Sequence, residues 1–269
     1  MADIDGSRFE WGSRTYVMGI INTTPDSFSG DGLDDNRDAA VAQGLLMVRE
    51  GADIIDVGGE STRPGHQPIS AAEEIRRTEQ VVARLAREAG VPVSIDTYKL
   101  EVAQAAVAAG AAILNDIWGL TRSPALAELA ASKGCALVVM HNQDGTEYAG
   151  DLMEEIKRFL RVSVNTAVQA GVKRERVLID PGIGFGKTAE HNWVVMRRLS
   201  ELRELDQPVL VGTSRKSFIG KLLDNQPAGE RLEGTAATVV AAVLRGADVV
   251  RVHDVLEMTR VVRVADRMR

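Results

Sequence analysis

Short apolar runs recur along the chain, each bounded by a glycine, a proline or a polar residue. They are YVMGII (16–21), DIIDVGG (53–59), VPVSID (91–96), ILNDI (113–117), ALVVMH (136–141), VLID (177–180), VLVGTS (209–214) and DVVRVH (248–253). Runs of this length between breakers read as buried strands. The stretches between them carry helical spacing. AAVAQGLLMVREGA places Ala40, Leu45, Val48 and Ala52 on overlapping turns, and AAEEIRRTEQVVARLAREAG places Ile75, Val82, Leu85 and Ala89 on one face. Ser70 with Glu73 predicts a capping box, and Ser123-Pro124 predicts a cap followed by a first-turn proline. Gly51, Gly90, Gly110, Gly134, Gly171 and Gly246 each stand between a helical stretch and the next strand, where a left-handed exit is needed. Eight strands alternating with helices predict an α/β fold, a (β/α)8 TIM barrel, with residues 1–269 as a single domain. A doubly wound sheet would give fewer strands and an early Gly-rich nucleotide loop. RFEWGSRT (8–15), with its central glycine, predicts a short N-terminal hairpin.

Composition narrows the function without changing the fold. A net charge of −6 over 269 residues offers no basic footprint for nucleic acid. A lone Cys135 inside an apolar run excludes an internal disulfide and reads as a small buried hydrophobe. The N-terminal residues lack an apolar h-region, and no apolar run reaches the roughly 18 residues of a membrane helix. The expectation is a soluble, cytoplasmic protein that does not engage a membrane.

In such barrels ligands bind at the carboxyl ends of the strands. Those ends carry Asn22, Asp56 to Glu60, Asp96, Asn115 with Asp116, His141, Asp180, Ser214 to Lys216, and Arg251 with His253. The loops that follow, such as TTPDSFSGDG (23–32) and GESTRPGHQP (59–68), are long and rich in Gly, Pro and Ser. Singly, each Asp or Asn reads as a helix cap or loop tether, and Asp56, Asp116 and Asp254 are expected to act so. Collectively, Asp96, Asn115 and Asp180 converge from three strands on one small polar ring, flanked by Lys216 and Arg251. Carboxylates accept from ring N–H and amino groups, and lysine donates to a carbonyl. The set suits a pterin or guanine-like heterocycle better than a sugar. VLVGTSRKSFIG (209–220) passes from strand through Ser-Arg-Lys into a helix, so it presents cations and free amides. PGIGFGKT (181–188) fails the phosphate-loop pattern because proline replaces its first glycine, and the four histidines lack zinc-ligand spacing.

NTTPDSFS (22–29), DVGGESTRPG (56–65), SIDT (94–97), NDI (115–117), MH (140–141), DPGIGFGK (180–187), TSRKSFIG (213–220) and RVHD (251–254) resemble, in order, the motifs of bacterial dihydropteroate synthases. The resemblance spans essentially the whole chain. It implies joining 6-hydroxymethyl-7,8-dihydropterin diphosphate to p-aminobenzoate, with Mg²⁺, to give 7,8-dihydropteroate and pyrophosphate for folate synthesis. Positions matching the pterin pocket are Asp96, Asn115, Asp180 and Lys216, with Ile117, Met140 and Gly212 as walls. Asn22, Arg251 and His253 match the diphosphate site, with Asn22 at the metal. Thr62, Arg63, Pro64, Phe185, Lys216 and Ser217 match the p-aminobenzoate site, where sulfonamides bind in the family. Asp96, Asp180, Lys216 and Arg251 carry the catalytic roles, through a cationic pterin intermediate, and the family is usually homodimeric.

The first loop departs from the family at Gly30 and Asp31, and Asp31 is given no catalytic role. HNQDGTEYAG (141–150) is only loosely like the family. A pterin-binding methyltetrahydrofolate:corrinoid methyltransferase domain shares the barrel and the Asp/Asn contacts, but needs neither Ser-Arg-Lys nor Arg-x-His. A non-catalytic pterin-binding paralogue is the other alternative.

Overall fold

A computed structural model describes residues 1–23, 33–60 and 67–269, with side chains of the first helix described from residue 37 onward. Eight parallel strands build the barrel: β3 (Tyr16–Asn22), β4 (Ile54–Gly58), β5 (Val93–Asp96), β6 (Ile113–Asp116), β7 (Ala136–Met140), β8 (Val177–Asp180), β9 (Leu210–Val211) and β10 (Val249–Val252). Each pairs with its sequence neighbour, β10 returns to β3, and a bridge between Ile179 and Val209 brings β8 to β9 and closes the ring. The helices alternate with them: α1 (Leu33–Arg49), α2 (Ala71–Glu88), α3 (Leu100–Ala108), α4 (Ala125–Lys133), α5 (Leu152–Gln169), α6 (Ala189–Arg197), α7 (Ser217–Leu222), α8 (Leu232–Leu244) and α9 (Val255–Asp266). The eightfold alternation read from the apolar runs is therefore the observed topology.

Strand periodicity of two sorts the core into two shells. Val17, Ile55, Ile95, Leu114, Leu137, Ile179 and Val250 point outward and pack with the helices. Met18, Ile54, Ile113, Val138, Leu178, Leu210 and Val249 alternate with them and fill the lumen. The glycines at the helix ends all take positive φ, from 69° at Gly90 and Gly134 to 111° at Gly110, as the left-handed exit requires.

The N-terminal hairpin lies earlier than expected. Its strands are β1 (Ala2–Ile4) and β2 (Ser7–Phe9), and the turn is Asp5-Gly6, with φ of 50° and 74°. An Asp-Gly pair accepts positive φ at both turn positions, which matches the twist of a two-residue hairpin better than the Gly12 turn does. Ala2, Ile4 and Phe9 then join the lumen cluster and close the floor of the barrel.

Two predicted caps differ. Ser70 does accept from the Glu73 amide at 3.2 Å, but the Glu73 carboxylate turns to Arg76 and Arg77 instead of reaching back. Pro124, with no side-chain cap bond, opens α4, so Ser123 contributes only its carbonyl, to the Leu126 amide. On α2, Glu74 and Thr78 are buried where Ile75 is only partly so.

Candidate active site

The alternation that fills the lumen with Met18, Ile54 and Val249 places every second residue above them on the same face. Toward the carboxyl ends that face carries Asn22, Asp56, Asp96, Asn115, Met140, Asp180, Gly212 and Arg251, so the lumen changes from apolar to charged along its length. Arg251 is the hub. Its Nε donates to Asp56 Oδ2 at 2.6 Å and its Nη2 to Asp96 Oδ2 at 2.7 Å. Asn115 Nδ2 also donates to Asp56 Oδ2, at 3.1 Å. Gly212 leaves the space beside them open: a Cβ there would lie 3.7 Å from Arg251 Cβ and 3.9 Å from Lys216 Nζ.

Lys216 enters from the seventh strand end. Its ammonium donates to the Ile183 carbonyl and sits 4.7 Å from the centroid of the Phe185 ring. Burial pulls Lys216 down to about 8, opposed by Asp180. Burial likewise pushes the Asp96 carboxyl up to about 7, against the pull of Arg251. Asp180 is raised by burial as well, with Lys216 opposing. Its Oδ1 accepts from the Gly182 amide at 2.7 Å, which leaves the second oxygen available to a ligand. These buried acids and cations hold one another at close range, and charge on a group that enters among them is felt strongly.

The remaining predicted residues that are described lie at or after the ends of the fourth to eighth barrel strands. Ile117 and Met140 are buried. His253 Nδ1 lies 2.9 Å from Ser214 Oγ, and the His253 amide donates to that oxygen at 3.1 Å, tying the seventh and eighth strand ends together. Ser217 is exposed at the start of α7, a helix of only six residues. Thr62, Arg63, Pro64, Gly30 and Asp31 lie outside the described residues.

Three expectations for single residues change. Arg215 does not face the lumen: with φ of 58°, it pairs with Asp254 at 2.5 and 3.1 Å, while its amide donates to Thr235 Oγ1 and its carbonyl accepts from Arg231. Asp254 stands at the N-cap of α9, but its side chain serves as the partner of Arg215 and makes no capping bond, so Lys216 alone is the cation that the Ser-Arg-Lys stretch presents. Asp56 is more than a loop tether. It is completely buried, orients both Arg251 and Asn115, and has no partner for Oδ1 among the described residues. The signal was its spacing of two from Ile54, which puts it on the lumen face. Asp116 behaves as expected, accepting from the Trp118 and Leu120 amides, while burial raises it to about 6.

Other polar clusters were not anticipated. Lys99 joins Glu60 (2.6 Å), Glu74 (2.7 Å) and the Ile69 carbonyl (2.8 Å), and Tyr98 donates to Glu60. Lys187 lies 2.8 Å from His141 Nδ1. Nothing in the spacing of these residues marks them, because they meet only when different strand ends are brought together.

Gly182 anchors the loop after β8. Its φ is +70°, and a Cβ there would lie inside the van der Waals shell of the His141 carbonyl oxygen. Gly182→Ala is expected to cost about 3 kcal/mol or more from strain and overlap, lowering the melting temperature by roughly 6–12 °C. Gly145, with φ of +80° and open space around it, isolates the backbone contribution. Equal thermal shifts for Gly182→Ala and Gly145→Ala would remove the steric argument.

The chain matches the family described as "Pterin binding enzyme" over residues 18–253. A dihydropteroate synthase of Clostridium beijerinckii is 49% identical over 264 residues, covering 98% of this chain and 97% of that protein. A crystal structure of dihydropteroate synthase from Clostridium difficile, determined in the presence of pteroic acid, superposes with a TM-score of 0.94 at 49% identity, covering 97% of this chain and 99% of that one. A Yersinia pestis dihydropteroate synthase in complex with a sulfonamide drug gives 0.88 at 41% identity, covering 95% and 94%.

Proposed function

The chain belongs to the pterin-binding enzymes and, within them, to the dihydropteroate synthases, and from that premise we propose how its residues join a dihydropterin diphosphate to p-aminobenzoate. The observation that carries the reading is the convergence of Asp96, Asn115, Asp180, Lys216 and Arg251 on the carboxyl end of one lumen. Asp180 and Asn115 hold the ring's amino and N–H edge, and Lys216 donates to its carbonyl or ring nitrogen. Ile117, Met140 and Gly212 bound the slot.

In the reaction the bond between the pterin methylene carbon and the diphosphate oxygen breaks, and its electron pair leaves with the diphosphate. Arg251, with His253 and Asn22 nearby, receives that charge. The pterin carries positive charge while the bond is broken, and the buried carboxylates of Asp96 and Asp180 stabilise it. The arylamine nitrogen then forms the C–N bond and gives up one proton to the departing diphosphate or to solvent water. An arylamine is already neutral at pH 7, so the step needs no strong general base. Phe185, Lys216 and Ser217, with Thr62, Arg63 and Pro64 on the second loop, form the p-aminobenzoate side. Sulfonamides compete there.

Mg²⁺ fits this arrangement. Asn22 offers an amide oxygen that makes no hydrogen bond among the described residues, close to Gly58 and Asp96. No cluster of three acidic, His or Cys ligands occurs among the described residues. Mg²⁺ commonly takes one or two protein oxygens plus substrate phosphates and waters. When bound, it would supply charge neutralisation on the leaving diphosphate. We further propose that residues 1–269 act as one domain in a cytoplasmic homodimer. Among the described residues no helix is long and apolar enough to cross a membrane.

The test is pyrophosphate release from purified protein with pterin diphosphate, p-aminobenzoate and Mg²⁺. Release is expected, with sulfamethoxazole raising the KM for p-aminobenzoate and leaving kcat unchanged. Binding without release supports a non-catalytic paralogue, and methyl transfer to cobalamin supports the corrinoid methyltransferase. A wild-type rate at saturating drug would sink the assignment of the arylamine site.

A further inference from the structure

Residues 181–187 run from β8 into α6 through positive φ at Gly182, Gly184 and Gly186. The front of this loop meets Lys216: the Ile183 carbonyl accepts from its ammonium, and the Phe185 ring faces it. The back of the loop rests on residues 141–148. Gly182 abuts the His141 carbonyl, Gly186 abuts Gln143, and the Tyr148 hydroxyl donates to the Gly186 carbonyl at 2.8 Å. Between the two sides lies Lys187. Its buried Nζ donates to the Phe185 carbonyl at 3.1 Å and to His141 Nδ1 at 2.8 Å.

His141 is built to accept that bond. Its ring lies edge-on to Phe159 at 4.9 Å and beside Tyr148 at 6.0 Å. Burial, followed by the nearby Lys187, drives its pKa down to about 3, so the ring is uncharged throughout the neutral range, and a lysine ammonium, which has no lone pair, pairs with Nδ1 as the acceptor nitrogen. Burial also pulls Lys187 down to about 7, but both hydrogen bonds need only its N–H groups, which either protonation state supplies. Burying an amino group is costly unless it is bonded, and its two partners tie one turn of the loop to the end of β7.

We propose that Lys187, seated on His141, is a positioning residue for the arylamine half of the reaction. It fixes the turn at Phe185, and through that turn the wall that p-aminobenzoate faces. This rests on the assignment of Phe185 and Lys216 to the p-aminobenzoate site.

The experiment compares K187M, K187Q and F185A with the wild type. Pterin diphosphate affinity is measured by calorimetry with Mg²⁺, and the KM for p-aminobenzoate by pyrophosphate release. Removing the amine is expected to raise that KM about tenfold or more, the scale of leaving one buried acceptor unsatisfied. Pterin affinity should stay within about threefold, since Asp96, Asn115 and Asp180 are untouched. K187Q, which keeps an N–H donor, should fall between K187M and the wild type. If F185A raises the KM and K187M does not, the positioning role is overturned while the site assignment stands. If F185A leaves the KM unchanged, the site assignment fails and the inference goes with it. Pterin affinity lost in step with p-aminobenzoate would also overturn it, as the mark of general collapse. Should K187M fail to fold, H141F keeps the amine but removes its acceptor; a raised KM supports the role, and an unchanged one counts against it.

Discussion

Asp180→Ala is expected to weaken pterin binding by about a hundredfold or more, the scale of losing two hydrogen bonds to a buried carboxylate. The side chain sits on the lumen face with one oxygen on the Gly182 amide, and the other makes no hydrogen bond among the described residues. Two effects are mixed in the alanine variant, because it also unties Gly182. Asp180→Asn separates them: its carbonyl can still accept from Gly182, but it has lost the charge that a ring N–H and amino group prefer. Calorimetric titration with a pterin should show large losses in both. Asp56→Ala is expected to lower the melting temperature more than the pterin affinity, since Asp56 touches Arg251 and Asn115 rather than open space. Equal pterin affinities for the Asp180 and Asp56 variants would refute this division.

Arg251→Met is expected to stop turnover and to destabilise the fold. It removes the cation between Asp56, which has no exposure, and Asp96, leaving two carboxylates whose charges face each other. Breaking a buried ion pair from one side costs about 3–5 kcal/mol. Arg251 keeps 20% of its side chain exposed, so the lower end applies; about 3 kcal/mol corresponds to a fall of roughly 6–12 °C in a protein of this size. The pH dependence has a definite sign. Burial already holds Asp96 up at about 7 with Arg251 present. Without the arginine its folded-state pKa rises further above the unfolded value, so the variant's native state takes up a proton more readily than the wild type's. The gap in melting temperature should therefore narrow between pH 8 and pH 6. A gap that widens on acidification would falsify the uncompensated-charge explanation.

The barrel was legible because each strand is a short buried run whose register is set by local pattern, and each helix exit carries a glycine. The strand ends were legible for the same reason: polar residues following an apolar run stand out. What escaped the sequence depends on pairings between distant elements. Asp56 was read as a tether, though its spacing from Ile54 already placed it on the lumen face; its link to Arg251 joins residues 195 apart in the chain. Arg215 and Lys216 are adjacent and both cationic, yet a positive φ at Arg215 turns one toward Asp254 and leaves the other facing the lumen. Composition and spacing do not encode that choice. The hairpin lies earlier than the pattern predicts for a local reason, since Asp5-Gly6 is better turn chemistry than the Gly12 stretch. Glu73 was expected to cap α2, but two arginines on the next turn compete for it and win.

The closure of the ring has a consequence for how the chain is made. β3 pairs with β10, Thr15 binds Asp266, and Gly12 donates to Asp248. The first barrel strand therefore waits for the last before one of its edges is satisfied. Synthesis proceeds at about 5–20 residues per second, so an incomplete barrel carries an open edge for roughly ten seconds or more on the ribosome. During that interval the floor formed by Ala2, Ile4 and Phe9 has only part of its lumen to rest on. Long-range pairing of this kind slows folding and exposes strand edges to other chains. A nascent chain stalled before residue 249 should accordingly be the form most readily captured by chaperones.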